Sequence, residues 1–265
     1  MKRIQLFEFE DFQWFPSTFR STMTKIIIVL HKLIGTKEVV SNLLIKAKQK
    51  HPFSQVVDLG SGSGGIMPMA VTHLNTTKKE DVRLLLTDLH PNEQFIQYFN
   101  QHTTKEITYQ KDALDATNLL KAPEGLKTMI NSFHHMPPVT AKKILYTAQE
   151  NKEPIMIYEM GENMVPALAW FLLLPISLPL MALSCMLFVP FVKPLNWKDL
   201  FFTWIIPVIP IFYAWDGQAS GPRTYTFEDI QTLLPPTSEQ YTWEIQPALK
   251  DNGKKLGYYI MGTPQ

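Results

Sequence analysis

The sequence predicts an α/β protein whose mostly parallel sheet is interrupted by an apolar helical insertion. From residue 54 to residue 160, short β-branched runs alternate with helix-like text, the pattern of βαβ units. The first of these runs ends in a cluster of glycines, "VVDLGSGSGG". The stretch from Met164 to Val192 then contains no Asp, Glu, Lys or Arg, and strand-like text returns after it.

Residues 1–50 read as an N-terminal helical cap. "STFRSTMTKIIIVLHKLIGTKEVVSNLLIKAKQK" spaces its apolar residues as a helix does, with a break at Gly35. Residues 51–163 read as a Rossmann-like core. Its strands are "SQVVDLG" (54–60), "VRLLLTD" (82–88), "EITYQKD" (106–112), "GLKTMINSF" (125–133) and "EPIMIYEM" (153–160). "PNEQFIQYFNQH" (91–102) and "PVTAKKILYTAQEN" (138–151) supply helices between them. The near-continuous apolar character of "RLLLT" and "PIMIY" fits strands covered on both faces. Residues 164–215 read as an apolar helical hairpin in two parts, 164–192 and 200–215, joined by "KPLNWKD". Residues 216–265 give a substrate-side segment and two last strands, "YTWEIQPAL" (241–249) and "LGYYIMG" (256–262). Asp251-Asn252-Gly253 between them signals a hairpin. The expected fold is a Rossmann-like seven-stranded sheet with a final antiparallel hairpin.

A chain of 265 residues suffices for one such domain with an insertion. A net charge of +1 gives no field that would recruit nucleic acid, and no nucleic-acid partner is expected. Cys185 is the single cysteine, so no internal disulfide forms and a reducing compartment fits. No His, Cys and carboxylate spacing makes a metal site, and none is expected. "MKRIQLFEFEDFQWF" lacks an apolar core and carries Glu8, Glu10 and Asp11, so a cleaved signal peptide is not expected. The expected location is the cytoplasmic side of a membrane, monotopic or peripheral, with an integral hairpin as the alternative.

The glycine loop is the most specific motif. A strand runs straight into Gly60, Gly62, Gly64 and Gly65. Glycines there permit a tight turn and let a ligand approach backbone amides at a helix N-terminus. Gly60-x-Gly62-x-x-Gly65 also satisfies the dinucleotide fingerprint. Asp58 decides between the ligands: a carboxylate at the mouth of the site repels pyrophosphate and attracts ammonium or sulfonium charge. That favours S-adenosylmethionine over NAD. Asp88 closes the second strand, where a carboxylate takes both hydroxyls of a ribose. It follows Gly60 by 28 residues, and the polar stretch "NTTKKEDV" (75–82) accounts for the extra length. Asp112-Ala113 ends the third strand, where an acid accepts from an adenine amino group.

In open α/β sheets the ligand lies beyond the carboxyl ends of the strands. Asn131, Ser132, Phe133, His134 and His135 leave the fourth strand at that edge. His134 and His135 are the candidate bases, since histidine suits proton removal near neutral pH. Alternatively one packs against the cofactor and the other caps the next helix, with positioning alone driving a displacement. Glu159, at the end of the fifth strand, is a lesser candidate facing the pocket. Asp216 and Arg223 flank the return to polar sequence, as a clamp on a polar head group or as a salt bridge. Arg20, with Trp14 and Phe15, is a candidate lid over the cofactor.

With these residues in view, the chain resembles the class I S-adenosylmethionine-dependent methyltransferases, over roughly residues 53–160 and the last two strands. The resemblance implies methionine and loop contacts from "DLGSGSG" (Asp58, Gly60, Ser61, Gly62, Gly64). It implies ribose contacts from "TDLH" (Asp88, Leu89), adenine contacts from "KDAL" (Asp112, Ala113), and a further contact from Asn131 in "NSFHHM". The family's seven-stranded sheet with a final antiparallel hairpin fits the strand count. "WFPSTFRSTMT" (14–24) and "DGQASGPRTYT" (216–226) resemble segments of a little-characterised bacterial branch. That branch places a D-G-x-x-S-x-x-R-x-Y element after an apolar hairpin, matched by Asp216, Gly217, Ser220, Arg223 and Tyr225.

Strands of one sheet lie on both sides of the insertion, so a single membrane crossing is excluded. Its second part has 16 residues, about 24 Å of helix against a hydrocarbon core of about 30 Å. Pro175, Pro179, Pro190, Pro207 and Pro210 are expected to kink or break it. Lys193, Trp197 and Lys198 suit an interface or an aqueous tip. A monotopic or partly inserted hairpin is the expected form; a soluble lid or dimer contact and full spanning are the alternatives. An apolar pocket wall points to a lipophilic acceptor. The expected function is methyl transfer from S-adenosylmethionine to a lipophilic or membrane-associated small molecule. An NAD(P)-dependent oxidoreductase with the same loop, or a non-catalytic membrane-associated adaptor, stands as the alternative.

Overall fold

The computed structural model describes residues 1–103 and 105–265. The chain divides into two compact units, Met1–Ile34 with Gly161–Asp229, and Gly35–Met160 with Ile230–Gln265. In chain order the elements begin with α1 (Ser17–Ile34), α2 (Thr36–Lys50), β1 (Gln55–Leu59), α3 (Met67–Lys78), β2 (Arg83–Thr87) and α4 (Glu93–His102). Next come β3 (Ile107–Tyr109), β4 (Leu126–Ile130), α5 (Pro138–Glu150), β5 (Ile155–Glu159) and α6 (Ala167–Phe188). The chain ends with α7 (Trp197–Leu200), α8 (Val208–Arg223), α9 (Phe227–Leu233), β6 (Tyr241–Leu249) and β7 (Lys255–Pro264).

The second unit is built on a seven-stranded sheet in the order β3-β2-β1-β4-β5-β7-β6. β1 to β5 are parallel, while β7 runs antiparallel to both β5 and β6. The α/β class and the closing hairpin are those that the strand pattern and the Asp251-Asn252-Gly253 turn predict. β5 is buried along its whole length, which explains its unbroken apolar text. Val56, Leu84, Leu86 and Met156 of the strands pack with Leu44 of α2 and Ala70, Val71 and Leu74 of α3. Right-handed crossovers place α3 and α4 on one face and α5 on the other. The chain steps from β1 outward to β3, then back to β4 and outward to β5 and β7. This reversal between β1 and β4 opens the crevice where a ligand sits, at the carboxyl ends of the strands.

The sequence groups residues 1–50 as one cap. In the structure the break at Gly35 separates the two helices: α1 lies in the first unit, and α2 in the sheet unit. α2 carries Val39, Val40, Leu43, Leu44 and Ala47 into the sheet core, a face that helical periodicity shows without naming its partner.

In the first unit, α1, α6 and α8 enclose Phe15, Met23, Ile26, Cys185, Val189 and Ile209. Pro175 and Pro179 lie inside α6, yet the helix runs unbroken for 22 residues. Both prolines are on its exposed side, where no packed neighbour must yield to the ring. The expected break comes instead at Pro207, where Trp197–Ile205 and Val208–Arg223 meet at an 84° bend; proline has no amide to continue the helix.

The turn joining α6 to α7, read from sequence as the tip of a hairpin, is tied to α1. Lys25 Nζ lies 2.6 Å from Asp199 Oδ2 and donates to Pro194 O at 3.1 Å, and Thr22 Oγ1 donates to Asp199 Oδ1 at 2.6 Å. Asn196 and Asp199 form a capping box at the start of α7. Lys25 is 5% exposed and Asp199 fully buried. Asp199→Asn leaves a buried ammonium without its counter-charge, a loss of about 3–5 kcal/mol. The thermal midpoint of the full chain should fall accordingly, and Lys25→Met with Asp199→Leu should fall less.

Candidate active site

β1 ends at Leu59, and the chain turns at once through Gly60, Gly62, Gly64 and Gly65, all at positive φ, before α3 begins. Two of them show what glycine is needed for. At Gly64 (φ 91°) a Cβ would stand 2.6 Å from Cζ of Phe99, so α4 closes directly on backbone. At Gly62 (φ 52°) a Cβ would meet nothing within 4 Å. The backbone is bare there, and a ligand can lie against it.

The loop is held from beneath. Ser61 N donates to Thr87 O at 2.9 Å, Gly64 N to Ser61 O at 2.7 Å, and Tyr109 Oη to Gly62 O at 2.9 Å. Asp58 accepts from Ser61 Oγ and from Thr128 Oγ1, both at 2.7 Å. The sequence places Asp58 at the mouth of the site; the structure places it under the loop, 3% exposed. It sits there because parallel pairing sets Asp58 against Thr128 on β4. Burial pushes its carboxyl up to about 7, with the charge of Asp88 adding to the rise, while the hydrogen bonds from Ser61 and Thr128 oppose it.

That rise has a sign for stability. The native state holds the Asp58 proton more tightly than the unfolded chain, so this contribution is complete below 3.8 and is lost as pH rises through about 7. Its size is on the order of 4 kcal/mol. Asp58→Asn should flatten the decline of the unfolding midpoint across that window, as read by thermal scans at constant ionic strength.

Asp88 follows β2 directly, at the strand end the sequence predicts, and is half-buried. Its Oδ2 accepts from Gly62 N and its Oδ1 from His90 N, each at 2.8 Å. Each carboxylate oxygen keeps a second lone pair, so two amides aim the group without exhausting it. Leu114 N donates to Asp88 O at 2.9 Å, which brings Asp112 and Ala113 to the end of β2. Both are exposed, as is the large side chain of Leu89. The Asp112 carbonyl accepts from Gln110 Nε2 at 2.9 Å.

On the other side of the switch point, a Cβ on Gly60 would lie 3.8 Å from Ser132 Oγ, so the segments after β1 and β4 face each other. Asn131, at φ 53°, donates its amide to Tyr158 O and accepts from Met160 N through Oδ1, at 2.8 and 2.7 Å. Asn131 is expected to contact the cofactor; its side-chain oxygen ties β4 to the end of β5. Phe133 is fully buried. Ser63 Oγ and Ser132 Oγ are buried without a hydrogen-bond partner among the described residues. Leaving such groups unsatisfied costs about 1–3 kcal/mol each, and a polar ligand in the crevice would relieve it.

Glu159 is engaged more definitely than its sequence rank suggests. Its Oε1 accepts from His134 N at 3.0 Å, and its Oε2 pairs with His134 Nδ1 at 2.7 Å. A carboxylate on Nδ1 fixes the orientation of the ring. The His135 ring stands 4.3 Å from that of His134.

Three expected substrate-side residues belong to the first unit and hold its N-terminal segment. Asp216 accepts from the amides of Phe9 and Glu10 at 2.8 and 3.1 Å. Arg223, fully buried, pairs with Asp11 at 2.6 Å and Glu8 at 3.2 Å. Ser220 Oγ donates to Glu8 Oε1 at 3.1 Å, and the Arg3 guanidinium lies 4.9 Å over the Tyr225 ring. The D-G-x-x-S-x-x-R-x-Y element is therefore a socket for the start of the chain. Arg20 donates to the carbonyls of Glu10 and Phe12 at 3.1 and 2.8 Å and braces the same segment. Sequence reasoning missed Thr128, Tyr109 and Ser63. Only strand register reveals the first two, whereas Ser63 sits in the glycine motif itself.

No protein-family model matches the chain, and no curated protein matches it. Among solved structures it is similar to the plantazolicin methyltransferase BpumL in complex with SAH, at 10% identity over 94% of this chain and 97% of that one, with a TM-score of 0.49. The CurJ carbon methyltransferase is 13% identical over 86% of this chain and 53% of its own, about half its length, with a TM-score of 0.44. A structure named as a Zn-dependent alcohol dehydrogenase from Rhodobacter sphaeroides is 10% identical over 83% of this chain and 88% of its own, with a TM-score of 0.43. At these identities the chemistry has to come from the chain's own residues. With its sheet order, its closing antiparallel hairpin and its glycine loop after β1, the chain has the class I S-adenosylmethionine-dependent methyltransferase fold.

Proposed function

We propose that the protein is an S-adenosylmethionine-dependent methyltransferase whose acceptor is a lipophilic small molecule with a proton-bearing nucleophile, such as a hydroxyl. The observation that carries this reading is the loop itself. Bare backbone at Gly62 lies beside an aimed carboxylate, Asp88, and above a buried one, Asp58. The aimed carboxylate of Asp88 opposes a pyrophosphate and favours a cationic ligand with a ribose, while Asp58 holds the loop from beneath. The unpartnered Ser63 and Ser132 hydroxyls fit the polar end of such a ligand.

S-adenosylmethionine would supply a methyl group activated by the positive charge on its sulfur. The Gly60–Gly65 backbone would hold its amino-acid end and Asp88 its ribose hydroxyls, while Leu89, Asp112 and Ala113 would receive the adenine. His134 would take the acceptor's proton as the nucleophile attacks, and Glu159 would orient the ring and stabilise the imidazolium. The apolar run of residues 164–192 supports a lipophilic acceptor.

Mass spectrometry of lipid extracts from cells with and without the protein tests the reading. A lipophilic species should gain one methyl with the wild type and not with Asp88→Ala. A methylated product confined to the water-soluble fraction would overturn the lipophilic part and leave the transferase part standing.

A further inference from the structure

α6 presents an apolar face that is exposed among the described residues. Leu168, Leu172, Ile176, Leu180, Leu183 and Leu187 recur every three or four residues along it, a single helical stripe. Each of them is more than half exposed. Over Ala167–Phe191 the mean hydropathy is 2.3, and 11% of the apolar window is buried. The core helix of a soluble protein buries such a stripe, and a bare one of this length marks an interaction surface. Beyond the turn, Trp197 is 67% exposed, with Trp204 and Ile205 also exposed. Trp14, from the N-terminal segment, is exposed as well. Tryptophan gathers where lipid tails meet head groups. The exposed Lys193 and Lys198 bracket Trp197 and supply the charge that suits anionic head groups.

We propose that the first unit docks on one leaflet of a phospholipid bilayer through the α6 stripe and residues 197–206, without crossing it. The tie between the turn and α1 excludes a crossing. Asp199 is bonded to Lys25, which stands nine residues before Ile34, where the chain passes to the sheet unit. Nine residues of helix span about 14 Å, too little to put the turn beyond a hydrocarbon core of about 30 Å. A full crossing would also draw the buried Lys25–Asp199 pair into lipid. α6 therefore lies along the leaflet. Lipid is a better occupant than a second copy because the stripe is uncharged along its length and has its lysines and tryptophans beyond its end. The proposal stands apart from the methyl-transfer reading, since docking needs no turnover.

Flotation of the full chain with vesicles of phosphatidylcholine, alone or with phosphatidylglycerol, tests it. The protein should float with both, several-fold more with the anionic mixture. Ile176→Glu with Leu180→Glu should reduce flotation at least about tenfold while leaving circular dichroism unchanged, both positions being exposed. For topology, Lys198→Cys is added to preformed vesicles and treated with a membrane-impermeant maleimide, with the wild type as blank because its Cys185 is buried. Labelling without detergent supports the proposal. Protection of that position until detergent is added would overturn it, as would a protein that stays in the soluble fraction, including as a dimer, with both vesicle compositions.

Discussion

Replacing Asp88 by alanine should weaken SAH binding by about 100- to 1,000-fold. The carboxylate is oriented by Gly62 N and His90 N at 2.8 Å each, and its remaining lone pairs suit two ribose hydroxyls. Hydrogen bonds to a charged group contribute about 1.5–3 kcal/mol each, and every 1.4 kcal/mol is a factor of ten in affinity. Asp88 is half-buried at the end of β2 with both its amide donors at the surface, so its loss returns two amides to water and leaves the fold intact; circular dichroism should show no change. Asp88→Asn keeps an acceptor and should fall between alanine and wild type. Isothermal titration of the three proteins with SAH makes the comparison.

The second large effect belongs to the His134–Glu159 pair. His134→Ala should lower kcat by about 10²- to 10⁴-fold, the range of a general base, with SAH affinity nearly unchanged and partial recovery on adding imidazole. Glu159→Gln should cost less, about 10- to 100-fold, in line with losses of outer partners that orient a reacting histidine. An amide can still accept from His134 N, but it no longer balances the imidazolium formed on proton transfer. Steady-state kinetics on an identified acceptor would show kcat falling and KM for S-adenosylmethionine holding. Equal losses in both constants would instead mark the pair as part of the cofactor pocket.

The sheet was legible because its strands are short, apolar and separated by glycine, proline and asparagine signals, and because Asp251-Asn252-Gly253 admits few conformations other than a hairpin. Asp88 and Leu89 follow β2 directly, as read, since strand ends can be read locally; Asp112 and Ala113, read as the end of the third strand, lie beyond β3, which stops at Tyr109, and come to the end of β2 through the Leu114 amide. What the sequence could not show were pairings across the sheet and between distant helices. Asp58 reads as an exposed carboxylate two residues before a glycine turn; only its register with Thr128 on β4 makes it a buried one. Glu159 and His134 are 25 residues apart, and neither local stretch announces the other. Asp216 and Arg223 carry charge beside an apolar run, which invites a ligand reading, yet their partners are the first residues of the chain. Lys25 and Asp199 lie in different elements 174 residues apart, so the tie that fixes the turn after α6 had no local signal.

The proposed ligand of the crevice after β1 is S-adenosylmethionine, whose adenosine and amino-acid parts SAH retains, rather than a nicotinamide dinucleotide. Titration of the wild-type full chain with SAH and, separately, with NADH in the calorimeter tests this most directly. A saturable one-to-one heat with SAH and none with NADH is the predicted result. Saturable binding of NADH with none of SAH would contradict it.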